Sequence, residues 1–333
     1  FAGLEVMAEG PLKEGSKASF LVNYRFSALG LFSLLGLEFV TGTAIPKYQD
    51  LSFNLHFPDK KGSTKLFGVG GMSSVELFQS NEAGENLFRA GLEDLTYKTN
   101  TGVLGVSRFQ KLGTNTFARA VVAVDALQTS TLLDTFAFAT NKSVVDYAGK
   151  YRDKSVQGKV SLNAFVQHKF SSRNTLKGGF RYYQYFFNLR DSFYNVGQDF
   201  GENQVIGWIE PTNFNGTTGL VQVYASDVIR LTSRLSTTLG LNYAYFTYNG
   251  ASSIEPRAGI SYKVTKNYTL SGGYGLHSQL SPFRIDFEEK TDLAGNTRKI
   301  NHDLGFTKSH HLVIGKEFRL GKTLRLTVEE YYQ

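Results

Sequence analysis

The chain has 333 residues and no cysteine, with 36 basic and 29 acidic side chains for a net charge of +7. The lack of cysteine excludes a disulfide framework and thiolate chemistry, and no apolar run reaches the roughly eighteen residues of a membrane-spanning helix. Glycine (34) and aromatic residues (27 Phe, 18 Tyr, 1 Trp) are plentiful while proline is scarce, a balance that favours many strands over helices.

The chain alternates from its first residues. Leu4, Val6 and Ala8 fall against Glu5, Met7 and Glu9, and Phe20, Val22, Tyr24 and Phe26 against Ser19, Asn23 and Arg25. Leu51, Phe53, Leu55 and Phe57 then oppose Ser52, Asn54 and His56. A period of two marks a β-strand with one apolar and one polar face. Similar stretches read at 64–76, 102–111, 116–127, 156–170, 175–190, 217–231 and 234–248. The clearest pair lies in 253–279. There Pro256, Ala258, Ile260, Tyr262 and Val264 oppose Glu255, Arg257, Ser261 and Lys263. After the Lys266-Asn267 turn, Tyr268, Leu270, Tyr274 and Leu276 oppose Thr269, Ser271, His277 and Gln279. Strands at 311–320 and 323–333 bring the number to about fourteen.

Each arm of that hairpin is close to the roughly nine to eleven residues with which a tilted strand crosses a bilayer. Tyr182, Tyr243, Tyr245, Tyr262, Tyr268 and Tyr274 follow the apolar face, as rings of a headgroup girdle do. Connections alternate between short (such as Lys13-Glu14-Gly15, Gly113-Thr114-Asn115 and Gly321-Lys322) and long (27–47, 77–100, 128–154, 191–216 and 280–309), with only 249–252 breaking the order. Tight turns at one end and long loops at the other are the habit of outer-membrane barrels. The expected fold is therefore all-β, a transmembrane antiparallel β-barrel occupying 1–333 as one domain, in contact with outer-membrane lipid. Arg25, Arg119, Arg181, Arg230 and Arg257 all take the polar face. On the lipid face each would cost about 2–4 kcal/mol at mid-bilayer. Lys316 and Asp227 break the rule, in phase with Ile314 and Ile229 respectively.

No enzyme is expected. G-x-S-x-G, H-E-x-x-H and phosphate-binding loops are absent, and Gly68-Val69-Gly70-Gly71 lacks the spacing of a dinucleotide fingerprint. The one Ser/His candidate, His277 beside Ser278, points to opposite faces of a strand. His310-His311 is divided in the same way, so neither a metal site nor any cofactor is expected. Nucleic acid is not an expected partner, because the basic residues are scattered over polar faces and turns while the tyrosines follow the apolar face. The stretch 191–216 gathers Phe193, Tyr194, Phe200, Trp208 and Phe214. Read as an extracellular loop, it either recognises a solute, grips a surface lipoprotein, or packs on itself over the barrel mouth.

Several phrases resemble the TonB-dependent outer-membrane receptors of Bacteroidetes, in order along nearly the whole chain. They are Leu4-Glu5-Val6 with Ala8-Glu9-Gly10-Pro11, Phe20 to Phe26, Pro46-Lys47-Tyr48-Gln49-Asp50-Leu51, Glu255-Pro256-Arg257, Gly275-Leu276-His277-Ser278-Gln279, Lys308-Ser309-His310-His311 and Glu330-Tyr331-Tyr332-Gln333. The resemblance implies a barrel of about 22 strands around an N-terminal plug, preceded by a TonB box that engages an inner-membrane energy-coupling protein. It implies import of a scarce solute, with a non-transporting scaffold in an envelope complex as the alternative. The chain starts and stops within a strand pattern, so it reads as a portion of that barrel with its plug and final strands elsewhere. Arg25, Arg119, Arg181 and Arg230 are then expected to meet acidic plug residues. Glu255, Arg257, His277, His311 and Tyr331 share the polar phase near the long-loop ends of neighbouring strands and are expected to form one arc of the upper lumen wall.

Overall fold

The computed structural model describes residues 3–27, 46–78, 93–138, 144–195, 206–291 and 296–333. In chain order the strands are β1 (Gly3–Pro11), β2 (Ser19–Ser27), β3 (Lys47–Pro58), β4 (Gly62–Phe78), β5 (Glu93–Lys111), β6 (Thr116–Phe138), β7 (Val144–Lys169), β8 (Asn174–Asn195), β9 (Gly207–Arg230), β10 (Leu235–Phe246), β11 (Ser252–Lys263) and β12 (Tyr268–Gln279). A single helical turn α1 (Phe283–Asp286) and a small hairpin of β13 (Glu289–Thr291) and β14 (Thr297–Lys299) follow, then β15 (Thr307–Leu320) and β16 (Leu324–Tyr332). All but the small hairpin join one 14-stranded antiparallel sheet in chain order, with β1 and β16 at its two edges.

The ladder sorts side chains into two faces. Arg119 pairs with Phe165, Arg181 with Gln222, and Arg257 with Gly240, all on the inner face. The opposite face carries rows such as Val106–Val122–Leu162–Tyr182. Its large apolar residues stand open: Val122, Val223, Leu241 and Ile260 are each about half exposed. A sheet in water would cover such a surface; lipid is the solvent that fits it. The two exceptions to the charge rule also find an account. Lys316 Nζ lies 3.4 Å from Glu330 across the β15–β16 pair, and Asp227 accepts a 2.8 Å bond from Asn174 at the short-turn end of β8.

Short turns close one end of the sheet by local chemistry. Lys61 N–H donates to Asp59 Oδ1 at 2.8 Å, an Asx-type turn, while Gly15 and Gly321 adopt φ near +75°, which a side chain resists. Arg108 reaches Asp59 in the same turn, and that hydrogen bond holds the carboxyl below its usual range.

At the other end the connections are shorter than the sequence pattern suggests. β5 begins at Glu93, β6 runs to Phe138, and β8 and β9 continue through 191–195 and 207–216. Much of what reads as loop is therefore wall. The amphipathic alternation fades there because both faces meet polar surroundings, but the backbone ladder goes on.

The face assignment predicts a labelling pattern. In a chain without native cysteine, Arg257→Cys and Ser261→Cys react with a membrane-impermeant thiol reagent in the embedded protein, while Leu241→Cys and Ile260→Cys are spared. The reverse pattern would turn the wall inside out.

Candidate functional site

The segment between β12 and β15 turns inward. Pro282 precedes α1, and Phe283 and Phe287, one helical turn apart, project together. They pack on Tyr185, Phe187 and Leu189 of β8 and on Phe246 of β10. Phe214 of β9 stacks on Phe287 with ring centroids 3.8 Å apart. Phe287 and Phe246 are fully buried, and burial of a phenylalanine stabilises by about 1.5–3 kcal/mol. This face is the one that carries Arg181 and Arg257, which fixes it as the side facing the barrel interior.

Arg284 pins the segment to the wall. Its guanidinium pairs with Asp153 on β7, donates to Ser155 Oγ at 2.7 Å, and lies 3.4 Å from Asp191 on β8. Burial alone would lower the Arg284 pKa, but the hydrogen bond and charge of Asp153 outweigh it and raise it. Asp153 is held in turn by Thr129 (2.9 Å) and Ser155 (2.8 Å). Asn249 donates to the carbonyls of His302 (2.8 Å) and Leu304 (2.7 Å), fastening the far end. Between α1 and the wall is a cleft of about 290 Å³, lined by Leu127, Thr129, Ser155, Gln157 and Arg284 among others. Asp286 differs from its neighbours: its carboxyl is buried, one oxygen has no partner, and burial pushes its pKa up to about 6.

Below this segment, Glu255, Arg257, His277 and His311 come together. Arg257 Nη2 is 2.8 Å from Glu255, which is almost fully buried, and the His277 and His311 rings meet edge to face at 4.6 Å. Gln333 Nε2 lies 3.0 Å from His311 Nε2. Tyr331 does not join them; it stands 80% exposed on the edge strand opposite Val313. Ser278, expected to point away, bonds Glu255 instead. The β11–β12 ladder ends at Arg257 and Gly275, so the Ser278 hydroxyl can turn toward Glu255 while its backbone stays paired with Lys308 of β15. His310 faces outward and meets the Tyr274 hydroxyl at 3.0 Å, so the adjacent histidines are divided between the faces.

The arginines have varied partners. Arg25 pairs with Asp50 of the neighbouring strand at 2.9 Å, and Arg230 donates to the Ser172 carbonyl at 3.2 Å. Among the described residues Arg119 reaches the Ser107 hydroxyl (3.1 Å), and Arg181 reaches Gln222 (3.5 Å) and the Tyr224 ring. The aromatic set is not a loop cluster. Phe193 and Tyr194 lie on β8 and Trp208 and Phe214 on β9, and Phe200 falls outside the described residues. Tyr194 and Trp208 meet edge to face at 5.8 Å, with Arg152 over the indole, whereas Phe214 turns inward onto Phe287.

The family described as TonB dependent receptor-like, beta-barrel, matches residues 42–320. The chain belongs to that family. Among solved structures, the TonB-type barrel is similar to the siderophore receptor PiuA from Acinetobacter baumannii, with a TM-score of 0.70 at 13% identity, covering 99% of this chain and 55% of that one. It is also similar to PirA from the same organism (TM-score 0.67, 14% identity, 99% and 49% covered). A third is the ferric-catecholate import receptor Fiu from E. coli (0.63, 11%, 99% and 57%). The chain thus spans about half the length of the receptors it resembles. No curated protein sequence matches it significantly.

Within this TonB-receptor wall, sequence reasoning missed the inward segment, including Phe283, Arg284 and Asp286. The signal was present as Pro282-Phe283-Arg284-Ile285-Asp286-Phe287, with two phenylalanines four residues apart after a proline, but a single turn has too few residues to establish a period.

Two outcomes follow. Arg284→Gln leaves Asp153 and Asp191 without their cation; with Arg284 itself about a third exposed, the loss is discounted to about 2 kcal/mol. Amides 283–291 and 296–304 then exchange hydrogen faster by mass spectrometry, while those of β1–β4 do not change. Asp286 has a folded pKa above its unfolded value, so its neutral form favours packing. Protection of the segment is full at low pH and falls as pH rises from about 4 to about 6; Asp286→Asn abolishes that dependence, and an unchanged profile would refute it.

Proposed function

We propose that this chain is the greater part of the wall of an energised outer-membrane importer of the Bacteroidetes type. It performs no chemistry; it supplies a lipid-facing exterior and a polar interior through which a scarce solute passes. The observation that carries this reading is the inner wall below α1. Arg119 and Arg181 face the interior with neutral partners only among the described residues. Cations enclosed by a filled lumen need acidic partners, and an N-terminal plug carrying carboxylates would meet that need. The two open edges, β1 and β16, support the same view, since unpaired strand edges are not tolerated in lipid. Strands outside this chain would close the barrel, and a TonB box ahead of the plug would bring the energy-coupling protein.

In this reading Glu255, Arg257, His277 and His311 brace the upper wall, and solute meets the cleft beside Arg284 before them. The similar receptors are named for siderophores and ferric catecholate, but at 11–14% identity the likeness carries the fold and not the cargo. A second reading rests on Trp208 and Tyr194, which stay exposed on the wall extension. Such a pair suits a lipoprotein partner on a non-transporting scaffold.

The full-length protein, purified from its native membrane, separates the two. Import is upheld by a small solute that co-purifies and whose uptake stops when the energy-coupling protein is deleted. A stoichiometric lipoprotein, no solute, and growth indifferent to that deletion would establish the scaffold instead.

A further inference from the structure

The positive charge of the chain is concentrated at one end of the wall. The seven turns at the short-turn end, each with one flanking residue on either side, span 11–19, 58–62, 111–116, 169–174, 230–235, 263–268 and 320–324. They hold twelve basic and two acidic side chains, against 24 and 27 in the remainder. The net +7 of the whole thus divides into a strongly basic rim and a slightly acidic body. Of the two rim carboxylates, Asp59 is taken by Arg108. At the turn tips Lys60, Lys61, Arg173, Arg234, Lys266 and Lys322 are exposed, and none has an acidic partner among the described residues.

The backbone makes this rim a fixed row. Where five strands run into a short turn, a basic residue donates its N–H to the carbonyl that closes the neighbouring turn. Lys111 donates to Lys61 (2.7 Å), Lys169 to Asn115 (2.9 Å), Arg230 to Arg173 (2.7 Å), Lys263 to Arg234 (2.8 Å) and Arg319 to Asn267 (2.8 Å). Three turns are also braced from within, where the hydroxyls of Ser171, Thr232 and Thr265 accept from the N–H groups of Arg173, Arg234 and Asn267 at 3.1–3.2 Å. Equivalent positions recur every second strand, about 10 Å apart. The tips therefore present a line of held cations and not a pocket.

That form selects the partner. The residue after each of the five strand-end cations is apolar: Leu112, Phe170, Leu231, Val264 and Leu320. All but Val264 are more than half exposed, and they continue the lipid phase of their strands. The lipid side thus ends on hydrocarbon at the roots of the turns. The cationic tips lie beyond it, on the side that faces the periplasm in such barrels. A small anion gains little there. One exposed pair contributes about 0–1 kcal/mol, and the next tip lies farther off than the about 8 Å over which physiological salt screens. A polymer with carboxylates repeated along an extended frame engages several tips at once and gains by multivalency.

We propose that the short-turn rim docks on the peptidoglycan of the periplasm, with its turn-tip cations on the free carboxylates of the peptide stems. The inference rests on the outer-membrane placement above, but not on import.

The test is co-sedimentation of the purified full-length protein, in neutral detergent, with isolated cell-wall sacculi. Sacculi whose carboxylates have been amidated, and vesicles of phosphatidylglycerol, form the other two arms. Wild type pellets with native sacculi, is released as salt rises, and stays in the supernatant with amidated sacculi. Lys60→Gln/Arg173→Gln/Arg234→Gln/Lys266→Gln weakens the affinity by roughly fifteenfold, about twofold for each charge. These four side chains make no hydrogen bond or ion pair among the described residues, so the turns keep their form. Lys98→Gln/Lys154→Gln at the opposite end changes nothing. Equal retention on amidated sacculi, an unaffected rim variant, or an equal loss at Lys98 and Lys154 would overturn the proposal. Tighter capture by the vesicles than by native sacculi would overturn it too, and assign the rim to the lipid leaflet. The amidated arm needs wild type alone, so it decides even where the fourfold variant fails to reach the membrane. Unchanged solute uptake with lost sedimentation separates the rim from the import reading.

Discussion

The structure depends on one requirement: a backbone group that faces lipid must find its hydrogen bond within the protein. The long β4–β9 ladders meet it, strand by strand, with few interruptions. Register shifts occur between Leu133 and Asp134, between Ala137 and Phe138, and between Asp191 and Phe193. All lie on the long-loop side of the apolar run, where water or neighbouring polar groups can satisfy what the ladder leaves free. Within the band, where no water is at hand, the register of these strands is unbroken.

That requirement explains what could be read from the sequence. Where one face meets lipid and the other a polar interior, alternation is enforced residue by residue, and Leu4 to Glu9 or Pro256 to Lys263 declare themselves as strands. Above the band the enforcement ends. Residues 93–101, with Lys98 and Asn100 outside and Thr99 and Thr101 inside, are polar on both faces and read as loop. Lys316 reads as a violation because its partner Glu330 lies on the next strand, and a one-dimensional pattern shows no diagonal pair. Alternation places Ser278 away from Glu255; where pairing with β11 stops at Gly275, its hydroxyl turns to that carboxylate, which a pattern of faces does not show. The arc at His277 and His311 was legible through its phase; Tyr331 shares that phase, but as part of an edge strand it has nothing to draw it in.

The inner wall holds its charges in more than one way. Near the mouth, Asp153 and Asp191 are answered by Arg284 from the inward segment. Elsewhere on this face Lys159 pairs with Asp125, while Arg119 and Arg181 meet hydroxyl, amide and ring rather than carboxylate among the described residues. Exposed pairs such as Arg25–Asp50 contribute about 0–1 kcal/mol each, so their worth is in orientation. The Asp153 carboxylate is almost fully buried, and removing its cation costs more than any surface pair returns. The mouth segment is therefore fixed by its own charges.

A wall one strand thick keeps these chemistries apart. Asp125 and Lys159 form an ion pair on the inner face, 3.2 Å apart. The next residues along, Ala126 and Gly158, pair on the outer face, and Ala126 lines an outer depression with Leu51 and Val156. Charge inside and hydrocarbon outside are thus separated by a single peptide unit, with no side chain passing between them. The side chains on either face can change independently as long as the backbone ladder is kept. The lumen face of such a wall can then change without disturbing its fit to the membrane, and the outer face can change without touching the lumen.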